Sequence, residues 1–112
     1  MLDLRLYMLQ RLSALVMAPF VLVHIGVIIY AIDGGLSAAE ILGRTQGSLG
    51  WFLFYGTFVL AAGLHGAIGL RVILHEWAGL RGAALSVVSW GIGTCLIALG
   101  GRAVFAVTWW AV

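Results

Sequence analysis

The chain has 112 residues, 63% of them hydrophobic and 9% charged, and a mean hydropathy of +1.14. That leaves too little polar surface for a soluble domain, and a net charge of +2 carried by scattered arginines, with no lysine, is too weak to suggest a nucleic-acid surface. The composition points to an all-α integral membrane protein with one transmembrane domain over residues 1–112, whose solvent is the lipid bilayer.

The first apolar stretch runs from about Tyr7 to Ala31. It matches the ~20 residues that cross a bilayer better than the ~7–15 of a signal-peptide core. No small-residue cleavage site follows it, so it is read as structure. Pro19 lies inside this stretch and is expected to kink the helix and free a carbonyl. The segment "IDGGLSAAEILGRTQGS" comes next, polar and glycine-rich, with room for one short surface helix. A second span is predicted from about Leu49 to Leu74, then the short connection "HEWAGLRGA", then a third span from about Ala83 to Gly100. Beyond "GGR", Trp109 and Trp110 read as interfacial anchors; alternatively the third helix continues through this tail with Arg102 reaching back to the headgroups.

The arginines set an orientation. Arg5, Arg11, Arg71 and Arg81 fall on one side, Arg44 and Arg102 on the other, which places the N-terminus in the cytoplasm and Asp33 and Glu40 outside. Gly63, Gly66 and Gly69 in the second span let a helix or a flat cofactor approach closely; Gly91 and Gly93 in the third are read as plain helix packing. Cys95 is the single cysteine, so it forms no internal disulfide and holds no iron–sulfur cluster alone, and no CxxCH haem-attachment motif is present. It reads as a small apolar filler.

An ionisable residue inside a span is a functional candidate by default. His24 and His65 qualify, whereas His75 lies past Arg71 and reads as an interfacial residue. The face of the second span through His65 carries Tyr55, Phe58, Ala62 and Gly69, and Gly69 leaves room one turn away. Neutral imidazole is a ready metal ligand, but a bond to a neighbouring helix explains a buried histidine equally well; spacing leaves both open. The corresponding face of the first span carries Gln10, Ser13, Met17, Phe20 and His24. With Arg11 and Arg71 at the inner headgroups, His24 lies ~20 Å deep and His65 ~9 Å deep at ~1.5 Å per residue. The two are therefore not expected on one iron.

The run "QRLS" (Gln10 to Ser13) and the run His65-x3-Gly69-x-Arg71, with Glu76 five residues further on, resemble two motifs of the cytochrome b membrane anchors of succinate dehydrogenase and fumarate reductase, of the larger-anchor type. Gln10 stands where that family has histidine, Val72 where it has histidine or phenylalanine, and Glu76 where it has aspartate. The resemblance covers nearly the whole chain. It implies half of a helical-bundle anchor, completed by a second membrane-anchor subunit and docked to an iron–sulfur subunit and a flavoprotein. It implies haem b held by His65, with Arg71 at the propionates. It also implies a ubiquinone or menaquinone pocket near Arg11, Ser13 and Tyr7. In two-haem members the first helix supplies a distal ligand, which would be His24.

The expected function is electron transfer between the iron–sulfur subunit and quinone, with two haems b shared with the partner anchor. The chain itself does no chemistry on the dicarboxylate, so it is a non-catalytic part of an enzyme. A haemless anchor of the same family and a haem b anchor for another quinone-linked dehydrogenase are the alternatives. A small transporter subunit fits less well, because every acid lies near an end or in a loop. No targeting presequence is evident, which favours a bacterial plasma membrane.

Overall fold

The computed structural model describes residues 3–109, so Trp110 lies outside the described residues. Four helices follow one another: α1 (Leu4–Gly34), α2 (Ala38–Thr45), α3 (Leu49–Glu76) and α4 (Gly82–Thr108). No strand occurs among the described residues. In lipid each backbone N–H and C=O needs a partner in its own segment, and the helix is the conformation that supplies one. Three of the helices, α1, α3 and α4, are long and apolar enough to cross a membrane.

Local chemistry sets the boundaries. Asp3 caps α1 by accepting from the Leu6 amide at 2.9 Å. The helix runs on through Pro19 and stops at Gly35, whose φ of 114° suits glycine. Ser37 and Glu40 form a reciprocal capping box at the start of α2, and Ser48 caps α3 through the Trp51 amide. The Ser37 hydroxyl donates to the Glu40 carboxylate at 2.7 Å and, with the Ser37 amide, holds Glu40 below the usual carboxylate range.

The spans extend further than their apolar cores. α4 does not end at Gly100; it continues to Thr108 and carries Arg102, exposed, within it. Glycine does not break this helix, because a break would leave unpaired backbone groups in lipid. Gly100 is also needed where it stands: a Cβ there would lie 2.7 Å from Val59.

The three long helices form a layer with α3 in the middle. α3 packs on α4 along one side and on α1 along the other, while α1 and α4 barely meet. The α3–α4 seam is built from small residues. A Cβ on Gly63 would overlap the Ile97 side chain, and one on Gly93 would meet Ala67 at 2.6 Å. Ile68 and Ser89 are fully buried in this seam. Gly93 thus packs as expected, but Gly91 faces open space. α2 is pinned to the far end of α4 by the Thr45 hydroxyl, 2.7 Å from the Val107 carbonyl. α1 buries only Ser13, so most of its surface faces lipid or other subunits.

Candidate functional site between α1 and α3

The two helix faces singled out from sequence are the ones that pack together. Antiparallel register puts Gln10 over Gly69, Ser13 against His65, Phe20 against Phe54 and Phe58, and His24 against Tyr55 and Phe58. The "QRLS" run and the His65-x3-Gly69-x-Arg71 run, far apart in sequence, therefore meet at one end of the layer.

His65 is half-buried at this meeting point. Its Nδ1 lies 3.3 Å from the Ser13 hydroxyl, and that hydroxyl lies 2.9 Å from the Gln10 carbonyl one turn back on α1. Nε2 has no hydrogen-bond partner among the described residues and is not sealed inside the chain. An imidazole held at one nitrogen and open at the other is arranged as a metal ligand is. Space above Gly69 is taken by the Gln10 amide, whose nitrogen would be 3.4 Å from a Cβ at that position. The Gln10 Oε1 is buried and has no hydrogen-bond partner among the described residues.

His24 sits elsewhere on the seam. Its ring meets Tyr55 and Phe58 edge-to-face, with centroids 5.9 and 5.5 Å apart. Its Nδ1 is buried without a partner among the described residues, and it lines a cavity of about 250 Å³ with Tyr55, Phe58, Val59 and Ala62. Between the levels of Ser13 and His24, α1 advances roughly 16 Å at 1.5 Å per residue. A single iron between two imidazoles cannot bridge that separation.

The remaining candidates cluster around the His65 end. Arg71 donates to Ser86 at the start of α4 at 3.1 Å, which engages one of its five N–H donors. Arg11 lies over the Tyr7 ring, 5.1 Å from its centroid, and both are exposed. His75 is 3.3 Å from the Leu80 carbonyl and braces the α3–α4 turn rather than the seam. No group of three or more metal-ligating side chains occurs among the described residues, so any metal here needs ligands from another chain or its own macrocycle.

Two features were not foreseen from sequence. Ser86 fixes Arg71, and only the α3–α4 packing reveals it. At the opposite end, Val23, Gly26, Val27, Tyr30, Arg44 and Trp51 line a second cavity, of about 470 Å³. Arg44 was visible there as a lone cation in the α1–α3 connection. Its guanidinium donates to the Gly35 carbonyl at 3.2 Å and lies 5.7 Å from the Tyr30 ring centroid.

Comparison with known proteins gives one result. No individual curated protein and no solved structure matches the chain significantly. The profile of the succinate dehydrogenase/fumarate reductase transmembrane subunits matches it over residues 2–101. Such a match takes in the whole α1–α3 seam and most of α4, and the chain belongs to that family: it is a multi-pass membrane-anchor subunit of a succinate dehydrogenase/fumarate reductase complex.

Proposed function

We propose that the chain is an anchor of the larger type and that it binds haem b through His65 and shapes a quinone site beside it. The observation that carries this reading is the register of α1 on α3, which sets Ser13 3.3 Å from the His65 Nδ1 and leaves Nε2 open. The second membrane anchor would complete the site from its own side chains. Bound haem would supply a one-electron relay between the iron–sulfur subunit and the membrane quinone. Beside its Ser86 bond Arg71 has four donors without a partner among the described residues, enough for a bidentate grip on a propionate. Arg11 and Tyr7, exposed at the same end, offer a guanidinium and a phenol to a quinone oxygen and lie near water for proton exchange. The flavoprotein and iron–sulfur subunit would dock at this arginine-rich end, in the cytoplasm of a bacterium.

A second haem at His24 is supported by the unpartnered Nδ1, by the cavity at its side and by the axial distance from His65. His24 differs from His65 in having no hydrogen-bonding group to hold its ring among the described residues. A reduced-minus-oxidised spectrum, with haem quantified per purified complex, tests both sites on wild type, His65→Ala and His24→Ala. Two haems in wild type and one in each variant is the expected result. One haem unaffected by His24→Ala makes His24 structural. Absence of a b-type spectrum in wild type overturns haem binding and leaves a quinone-binding anchor. Turnover by the complex with a substrate other than succinate or fumarate would assign the anchor to another dehydrogenase.

A further inference from the structure

We propose that Ser13 is a positioning residue for His65: it selects the tautomer with a proton on Nδ1, fixes the ring plane, and is not a hydrogen-bond donor to quinone. This rests on His65 being a haem ligand.

Proton accounting leads there. A serine hydroxyl has one proton to give. Ser13 lies inside a helix, 2.9 Å from the Gln10 carbonyl and 3.3 Å from the His65 Nδ1, and is 5% exposed. Serine and threonine within a helix commonly return their proton to the preceding turn. Ser89 and Thr108 do so in this chain, at 2.6 Å to Leu85 and Val104. With the Ser13 proton on the nearer acceptor, Gln10, the Ser13 oxygen is an acceptor towards His65. Nδ1 then carries the hydrogen and donates it, and Nε2 keeps its lone pair. The opposite arrangement protonates Nε2, which has no acceptor among the described residues and could not then ligate iron.

The bond also acts on the imidazole electronically. An Nδ1–H that donates makes the opposite nitrogen more basic and a stronger ligand. His24 shows what its absence looks like: a ring held by aromatic edges alone, with a buried nitrogen left over. A committed Ser13 proton also leaves quinone recognition at this end to Arg11 and Tyr7.

The test compares Ser13→Thr, which keeps the hydroxyl, with Ser13→Val, which replaces it by methyl groups, and Ser13→Ala in the purified complex. Flavin and iron–sulfur content report assembly. Alanine adds no atom to the seam, so it reads out the hydroxyl even where valine disrupts packing. Valine and alanine are expected to weaken haem retention ~10–100-fold. The haem that remains should show a high-spin fraction and a more positive midpoint potential, because a less basic ligand favours ferrous iron. Threonine should restore the wild-type spectrum and potential. Wild-type haem content, spin state and potential in the alanine variant would overturn the proposal while leaving His65 as the ligand, as would a rise in quinone KM alone. Wild-type complex without haem, or full haem content in His65→Ala, would overturn ligation by His65 and this proposal with it.

Discussion

At the scale of single residues, the arginines at the His65 end differ in exposure. Arg71 is half-buried and tied to Ser86, whereas Arg11 is exposed and tied only to the face of Tyr7. A cation resting on an aromatic ring at an accessible site loses little on turning to a quinone oxygen. Arg11→Leu is therefore expected to raise the KM for quinone by ~10–100-fold, the loss of one charge-assisted hydrogen bond. Succinate oxidation by a soluble dye that takes electrons from the iron–sulfur subunit should be unchanged. An unaltered quinone KM would remove Arg11 from the pocket. Both arginines stood out in the "QRLS" and Gly-x-Arg runs of the sequence. The Ser86 tether was not, because it joins residues whose pairing depends on how α4 returns beside α3.

At the scale of elements, the α3–α4 seam and α2 make opposite demands. Gly63→Val would force a branched side chain into Ile97. It is expected to destabilise the chain by about 1–3 kcal/mol through overpacking, seen as a lower unfolding temperature of the complex in detergent. Gly91→Ala meets nothing within 4 Å and is expected to be neutral or stabilising by up to about 1 kcal/mol. Equal losses from the two would show that the seam does not depend on Gly63. Sequence placed both glycines in spans but did not separate the packed one from the open one. On α4 itself, a difference of two residues turns Gly93 to Ala67 and Gly91 away.

The start of α2 depends on the ionised Glu40 carboxylate, which accepts from Ser37. A carboxylate whose folded pKa is lowered contributes stability that is complete above its ordinary, unfolded value. That contribution disappears as pH falls through the lower folded value. Amide exchange in α2, corrected for intrinsic rates, should accordingly stay level from neutral pH to about 5 and rise in more acid solution. Glu40→Gln should flatten this dependence. A profile identical to wild type in that variant would show that the capping box does not control α2.

At the scale of the whole molecule, the antiparallel layer collects Arg5, Arg11, Arg71 and Arg81 at one end and places Arg44 with α2 at the other. By the positive-inside rule such an asymmetry predicts an N-terminus in the cytoplasm. In a Cys95→Ser background, Ala78→Cys in the α3–α4 turn should react with a membrane-impermeant thiol reagent only from the cytoplasmic side. Leu36→Cys, before α2, should react only from outside. The reverse pattern would overturn the orientation and move the docking end of the other subunits. The exposed outer surface of α1 is consistent with a membrane anchor that is completed by another subunit, since a lone three-helix layer leaves little of α1 covered.

The sequence by itself determined the solvent, the number of spans, the short helix between the first two, and the two helix faces that carry polar groups. Each follows from local rules: apolar length against bilayer thickness, capping residues before α2, and side-chain recurrence along one helix. Tertiary structure decided what those faces meet. The residue partners of Ser13, Gln10 and Arg71 depend on the register of α1 and α4 against α3, and steric fit sets that register: small residues admit close approach, and large ones stop it. One turn of slip in α1 would carry Ser13 away from His65 and Phe20 away from the Phe54 ring it stacks on. Hydrophobicity brings these helices together, but shape and hydrogen bonding decide which histidine acquires a partner and which is left with a bare nitrogen.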